Sequence, residues 1–266
     1  SVLRAVDMTT TNLGVERALI ILKYLSISSQ PMGVRGLSRE FGYGPAGVQK
    51  LMNALVAQGF VIQDANTKRY ALGSAVLQTG LAFLGNLQVR RVARPIMEDL
   101  AKITGETVLL GVGEDAGIFY IDKVLPSSEI RMDVRLGMRR PYHCTAVGKI
   151  ILAHQPVGVI DQVRVAGGLD QKTPNTITNP EELAAELEEC CQKSYARDCE
   201  EFKLGLQCVA APIYDHDSQL VAAISVAGPA GRIEAELDAL IEHVLTKSQE
   251  ISVSLGYRFE IKEKVA

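Results

Sequence analysis

Residues 34–56 read VRGLSREFGYGPAGVQKLMNALV, and the first part of the fold follows from this stretch. Val34, Leu37 and Phe41 fall on one side of a short predicted helix that stops in Gly42-Tyr43-Gly44. A Gly-bearing turn between two short helices is the signature of a helix-turn-helix. Pro45 then stands where a first helical residue belongs, because its φ is fixed at a helical value and its missing N–H would have no partner there. Val48, Leu51, Met52, Leu55 and Val56 follow at i, i+3, i+4, i+7 and i+8, the spacing of a buried helical face. The opposite face carries Ala46, Gln49, Lys50 and Asn53, small or hydrogen-bonding side chains suited to approaching base edges in a major groove.

Upstream, Asn12 is placed to cap a helix in which Val15, Ala18, Leu19, Leu22 and Leu25 share a predicted buried face, ending at Ser28-Ser29-Gln30-Pro31. Downstream, Gly59 ends the second helix of the motif. Phe60-Val61-Ile62 reads as a strand, Asp64-Ala65-Asn66-Thr67 as a turn, and Lys68-Arg69-Tyr70-Ala71-Leu72 as the partner strand. Two cations beside a hairpin tip suit a wing that rests on phosphates or in the minor groove. Residues 1–73 hold eight Lys/Arg against four Asp/Glu, a charge of +4, so a chain of net charge −3 carries −7 in the remainder. A basic head on an acidic body suggests polyanion binding by the head. The same features also fit a three-helix and hairpin module that binds another protein, since helical spacing does not by itself establish groove contact.

At about 150 residues per domain, 266 residues suggest one small module and one larger domain. Hydrophobic residues are 47% and charged residues 22%, which excludes a chain too polar to fold. No apolar run approaches the roughly 20 residues that cross a bilayer, and the start lacks the apolar centre of a secretory signal, so a cytoplasmic location is expected. The five cysteines, at 144, 190, 191, 199 and 208, form no CxxC pair; reduced thiols are expected, with no metal and no cofactor.

Ser74 to Asn86 has helical period and reads as a linker, leading into Arg90, Arg91 and Arg94, which either lie on a solvated helix face or reach DNA flanks. Helices are then predicted at Val89–Ile103, Ala146–Ala153, Glu181–Ser194 and Glu234–Leu255. Strands are predicted at Thr107–Val112, Ile118–Val124, Ile130–Leu136, Tyr195–Asp198, Val209–Tyr214 and Leu220–Val226. Hairpin signals at Glu114-Asp115-Ala116-Gly117 and Asp215-His216-Asp217-Ser218-Gln219 imply antiparallel neighbours. The run 228–232, Gly-Pro-Ala-Gly-Arg, lacks the Lys-Ser/Thr ending of a phosphate loop and reads as the turn before the last helix. His143 and Cys144 are adjacent, so in extended chain they face opposite ways; with no GxSxG, P-loop or HExxH pattern, no catalysis is expected.

With this N-terminal module, the motifs Thr145-Ala146-Val147-Gly148-Lys149, Tyr195 to Glu201 (YARDCEE), Gly205 to Ile213 (GLQCVAAPI) and Ala222 to Pro229 (AAISVAGP) resemble the IclR family of bacterial transcription regulators over residues 12–256. The resemblance implies an α+β fold: a winged helix-turn-helix joined by a linker helix to a GAF-like, mixed or antiparallel α/β effector-binding domain. The implied division is a disordered or processed terminus at 1–11, the DNA-binding domain at 12–73, the linker helix at 74–88, the effector domain at 89–258 and a tail at 259–266. Implied partners are double-stranded palindromic operator DNA, a small organic acid effector and further copies of the chain, as a homodimer or a dimer of dimers, with no membrane. DNA contacts are expected from Pro45, Ala46, Gly47, Gln49, Lys50, Asn53, Lys68 and Arg69. The family's pocket, carried over, comprises Met132, Arg140, Ala146, Val147, Asp198, Leu206, Cys208, Ser225 and Ala227; N–H groups at a helix start favour an anion such as a carboxylate. Family members often carry Ser-Thr where this chain has Ala46-Gly47 and a second serine where it has Ala227, and some small-acid binders have an apolar residue where it has Arg140. A small-molecule-sensing or protein-interaction module without its own operator is the alternative.

Overall fold

The recognition motif and its surroundings build as their residues dictate. The computed structural model describes residues 12–28, 30–114, 117–155 and 168–258. These divide after Asn86 into two units, each with its own apolar core.

In the first unit, helix α1 (Leu13–Ile27) starts on Asn12, whose side chain accepts from the N–H groups of Gly14 and Val15. Helix α2 (Val34–Phe41) ends at Gly42, where φ of 66° is the left-handed conformation that glycine adopts without strain. Helix α3 (Pro45–Ala57) opens on proline as expected. Strands β1 (Val61–Gln63) and β2 (Tyr70–Leu72) pair antiparallel, and helix α4 (Ser74–Asn86) follows. The core is Ile21, Leu25, Leu37, Val48, Met52, Val61 and Tyr70. Tyr70 also bridges through its backbone to Met32, its N–H donating over 2.8 Å and its carbonyl accepting over 3.0 Å.

In the second unit, α5 (Gln88–Thr104) precedes β3 (Thr107–Glu114), β4 (Gly117–Val124), β5 (Arg139–Arg140), α6 (Ala146–Ala153), α7 (Pro180–Lys193), β6 (Ala196–Cys199), β7 (Leu206–Tyr214), β8 (Leu220–Pro229), α8 (Ala230–Ala235) and α9 (Leu237–Ser254). The sheet order is β5-β4-β3-β8-β7-β6 and every pairing in it is antiparallel. Helices α5 and α9 pack together against β3 and β7, while α6 contributes to the core cluster with α7 and the sheet. A Cβ on Gly148 would lie 2.3 Å from the Tyr142 carbonyl oxygen, so only glycine lets α6 start this close to the preceding chain. No helix among the described residues is long and apolar enough to cross a membrane.

Several expectations need correction. Residues 130–136 form no strand, because side chains take their carbonyls: Thr107 Oγ1 donates to Met132 O over 2.6 Å, Lys123 Nζ to Val134 O over 2.8 Å, and Arg232 Nη2 to Ile130 O over 2.9 Å. The strand beside β4 is instead the two-residue β5. On α1 the buried face is Ile21 and Leu25, and Val15 and Leu19 are more than half or half exposed; the apolar run 18–22 offers two faces and the core takes one. The last helix is two helices broken at Glu236, and Ala230 to Arg232 belong to the first of them. Arg90 and Arg94 both ion-pair with buried Asp122, at 3.1 and 3.0 Å, so they anchor α5 to β4 and are taken up within their own unit. Lys68 has a φ of 55°, outside the extended range, so the hairpin's second strand starts two residues later than expected, at Tyr70. Asp115, Ala116 and the expectations for residues 1–11 and 259–266 lie outside the described residues.

Candidate nucleic-acid interface and effector site

Helix α3 buries Val48 and Met52 and leaves Pro45, Ala46, Gly47, Gln49, Lys50 and Asn53 exposed along the rest of its surface. The turn before it is braced by the Ser38 hydroxyl donating to the Tyr43 carbonyl. Gln49 Nε2 donates to Asn53 Oδ1 over 2.8 Å and to the hydroxyl of Tyr70 on the wing over 3.0 Å. Lys68 and Arg69 stand exposed where the hairpin turns. Asp64 organises that turn, accepting from Thr67 N at 2.6 Å, Thr67 Oγ1 at 2.8 Å and Asn66 N at 3.1 Å, and the Thr67 bonds hold its carboxyl below the usual range. Arg35 and Arg39 on α2 are further exposed cations. The sequence reading singled out neither these nor Tyr70, which in its strand reads only as core.

The second unit holds a cavity of about 360 Å³ whose wall includes Met132, Arg140 and Leu206 of the expected pocket, together with Arg131, Phe202 and Lys203. The other six expected residues do not line it. Ala146, Val147, Cys208 and Ala227 are buried in the core cluster against which Met132 and Leu206 pack. Asp198, Cys208 and Ala227 lie side by side across β6, β7 and β8, and Ser225 pairs with Ala210 and Leu109. Ser225 is 1% exposed and its Oγ finds no hydrogen-bond partner among the described residues. Unsatisfied buried hydroxyls are uncommon and call for an explanation.

Charges around this region are arranged asymmetrically. The Arg140 guanidinium lies 5.1 Å over the Phe202 ring, and no described carboxylate is within ion-pair distance of it. Asp198 accepts from Glu201 N at 2.8 Å and Phe202 N at 3.3 Å; burial pushes its carboxyl up to about 7, the Glu201 charge adding to the effect and the two N–H groups opposing it. Thr145 caps α6, accepting from Gly148 N at 3.1 Å, while helix geometry gives the N–H groups of Ala146 and Val147 no intrahelical acceptor. Lys149, 1% exposed, holds Glu186 and Glu201 at 2.7 Å each. Burial alone would lower its ammonium, but the two carboxylates more than offset that and raise it. Burial lowers the His143 imidazole and pushes the Cys144 thiol up to about 12, the reverse of what an activated thiolate needs.

Two family models match: "Bacterial transcriptional regulator IclR C-terminal" over residues 81–253 and "IclR helix-turn-helix domain" over residues 14–65. The chain belongs to the IclR family. The HTH-type transcriptional repressor AllR of Escherichia coli is 32% identical over 245 residues, 92% of this chain and 90% of AllR. The crystal structure of Thermotoga maritima IclR is 36% identical with a TM-score of 0.68, covering 91% of this chain and 98% of that one. An IclR homologue from Microbacterium hydrocarbonoxydans, solved in complex with 4-hydroxybenzoate, shares the fold at 20% identity and a TM-score of 0.79, covering 91% and 98%. This IclR-family chain is thus a transcriptional regulator with a DNA-binding helix-turn-helix and an α/β C-terminal domain, not an enzyme.

Proposed function

We propose that this regulator binds palindromic operator DNA as a homodimer, able to pair further into a tetramer, and that a small organic acid seated in its C-terminal domain controls the binding. The observation that carries the DNA part is the free face of α3: Ala46, Gln49, Lys50 and Asn53 are exposed while Val48 and Met52 hold the helix in the core. Pro45 and Gly47 keep the helix start unobstructed, and Lys68 and Arg69 on the wing favour phosphate contact. Helix α4 has no buried residue, and its Leu77, Leu81 and Phe83 are each at least half exposed, which favours a second copy as the cover. The domain limits 12–73, 74–88 and 89–258 are adopted with this reading.

An anionic effector is favoured by the cavity beside Arg140, Arg131 and Lys203 and by the unpartnered Ser225 hydroxyl in the adjoining core. Met132, Leu206, Cys208 and Ala227 would supply the apolar wall, with Ala146 and Val147 N–H groups and Asp198 as polar partners. The 4-hydroxybenzoate held by the Microbacterium homologue is an acid of this class. Selecting bound duplexes from a random pool with and without a panel of organic acids tests the reading: a palindrome whose occupancy responds to one acid is expected. A Ser225→Leu protein that keeps its full response to that acid would remove Ser225 from the site.

A further inference from the structure

Among the exposed polar residues of α3, Gln49 differs from the others in being anchored. Both protons of its Nε2 are used, one on Asn53 Oδ1 at 2.8 Å in the next turn of the same helix and one on the Tyr70 hydroxyl at 3.0 Å. Tyr70 cannot follow a swinging side chain. It is 0% exposed, its ring sits in the core beside Val48 and Met52, and its backbone is bonded in both directions to Met32. A primary amide with both N–H bonds spent keeps only its carbonyl oxygen for an outside partner. Anchoring to Tyr70 therefore changes Gln49 from a group able to turn either end outward into an acceptor of fixed direction.

We propose that Tyr70 is a positioning residue for sequence readout. By tying down the Gln49 amide nitrogen, it makes α3 present the Gln49 Oε1 acceptor to a base carrying an amino group in the major groove, adenine through N6 or cytosine through N4. Guanine and thymine present only acceptors at the corresponding edge, O6 and N7 or O4, and meet Gln49 with like polarity. Holding the side chain in advance also removes rotamer freedom that would otherwise be lost on binding. The sequence signal for this is weak, because residues 49 and 70 lie 21 apart and belong to different elements.

The inference rests on the operator-binding reading above, and the test separates the two. Full-length wild-type, Tyr70→Phe, Gln49→Ala and the double variant are compared on the duplex selected by the wild type and on duplexes with each half-site base replaced in turn, by fluorescence anisotropy at several salt concentrations. Tyr70→Phe removes only the hydroxyl, and its melting temperature reports whether the core survives. The expected result is one half-site base pair at which removing the amino group, by purine in place of adenine or 2-pyrimidinone in place of cytosine, weakens wild-type binding about tenfold, a penalty that Tyr70→Phe largely loses. The salt slope, which counts phosphate contacts, should be unchanged. Tyr70→Phe should have no further effect once Gln49 is alanine. Wild-type discrimination that persists in Tyr70→Phe, no loss of affinity when the major-groove amino group is removed at the base pair that Gln49→Ala relaxes, or additive effects in the double variant would each overturn the inference alone. A wild type with no preferred duplex would overturn both it and the operator reading.

Discussion

Lys50 is exposed on α3 with no described carboxylate in ion-pair reach, so its ammonium is free for a guanine edge or a phosphate. Lys50→Ala should weaken operator binding by about tenfold, roughly the effect of losing one good base contact, as anisotropy titration would read. Unchanged affinity and preference would place Lys50 off the interface. Asp198 gives a prediction in pH. Its folded value of about 7 lies above the ordinary 3.8, so the stability it contributes is complete below about 3.8 and is lost as pH rises through about 7. Below that value its carboxyl is neutral and no longer repels an anion, so an acid effector should bind more tightly at pH 6 than at pH 8. Asp198→Asn keeps an acceptor for the Glu201 and Phe202 N–H groups and should flatten that difference in calorimetric titrations across the range. At this scale the sequence made legible which residue types face outward on α3. It did not reveal Arg94 bonded to Asp122 or Gln49 bonded to Tyr70, because those partners are 28 and 21 residues away and no local period records them.

Elements with strong periodicity or clear caps were readable, and those shaped by side-chain-to-backbone bonds were not. The Asn12 cap of α1, the proline start of α3 and the hairpin β7–β8 follow from local chemistry. Residues 130–136 look like a strand by composition, yet Thr107, Lys123 and Arg232 claim their carbonyls and leave the segment as an irregular wall of the cavity. The carried-over pocket divides into three residues on the cavity and six buried residues that do not line it. The link between α6, α7 and the chain after β6 is Lys149 with Glu186 and Glu201. Lys149→Ala strands the 4%-exposed Glu201 without its cation and should cost about 3–5 kcal/mol. Chemical denaturation at neutral pH would read this, and a change within 1 kcal/mol would show the network to be dispensable. On the wing, replacing Lys68 and Arg69 together by alanine should lower the salt slope of operator binding by about 2 while leaving base preference unaltered.

At the scale of the whole molecule, the two units divide charge as they divide labour: few acidic residues leave the unit that carries α3 at +4, and the unit with the cavity carries −7. Control by an effector requires that it bind more strongly to one conformation of the protein than to another, and the size of the response is bounded by that difference. A dimer built on α1 and α4 would cover Leu19, Leu77, Leu81 and Phe83 and present two copies of α3 to half-sites about one helical turn apart, or a multiple of that. The most direct measurement is selection of duplexes from a random pool by the purified full-length protein at low and at physiological salt, repeated with organic acids present. An enriched inverted repeat whose binding weakens with salt and changes with one acid is the predicted result. Enrichment of no sequence at either salt, with every acid without effect, would contradict the account and leave the chain a sensing or protein-interaction module.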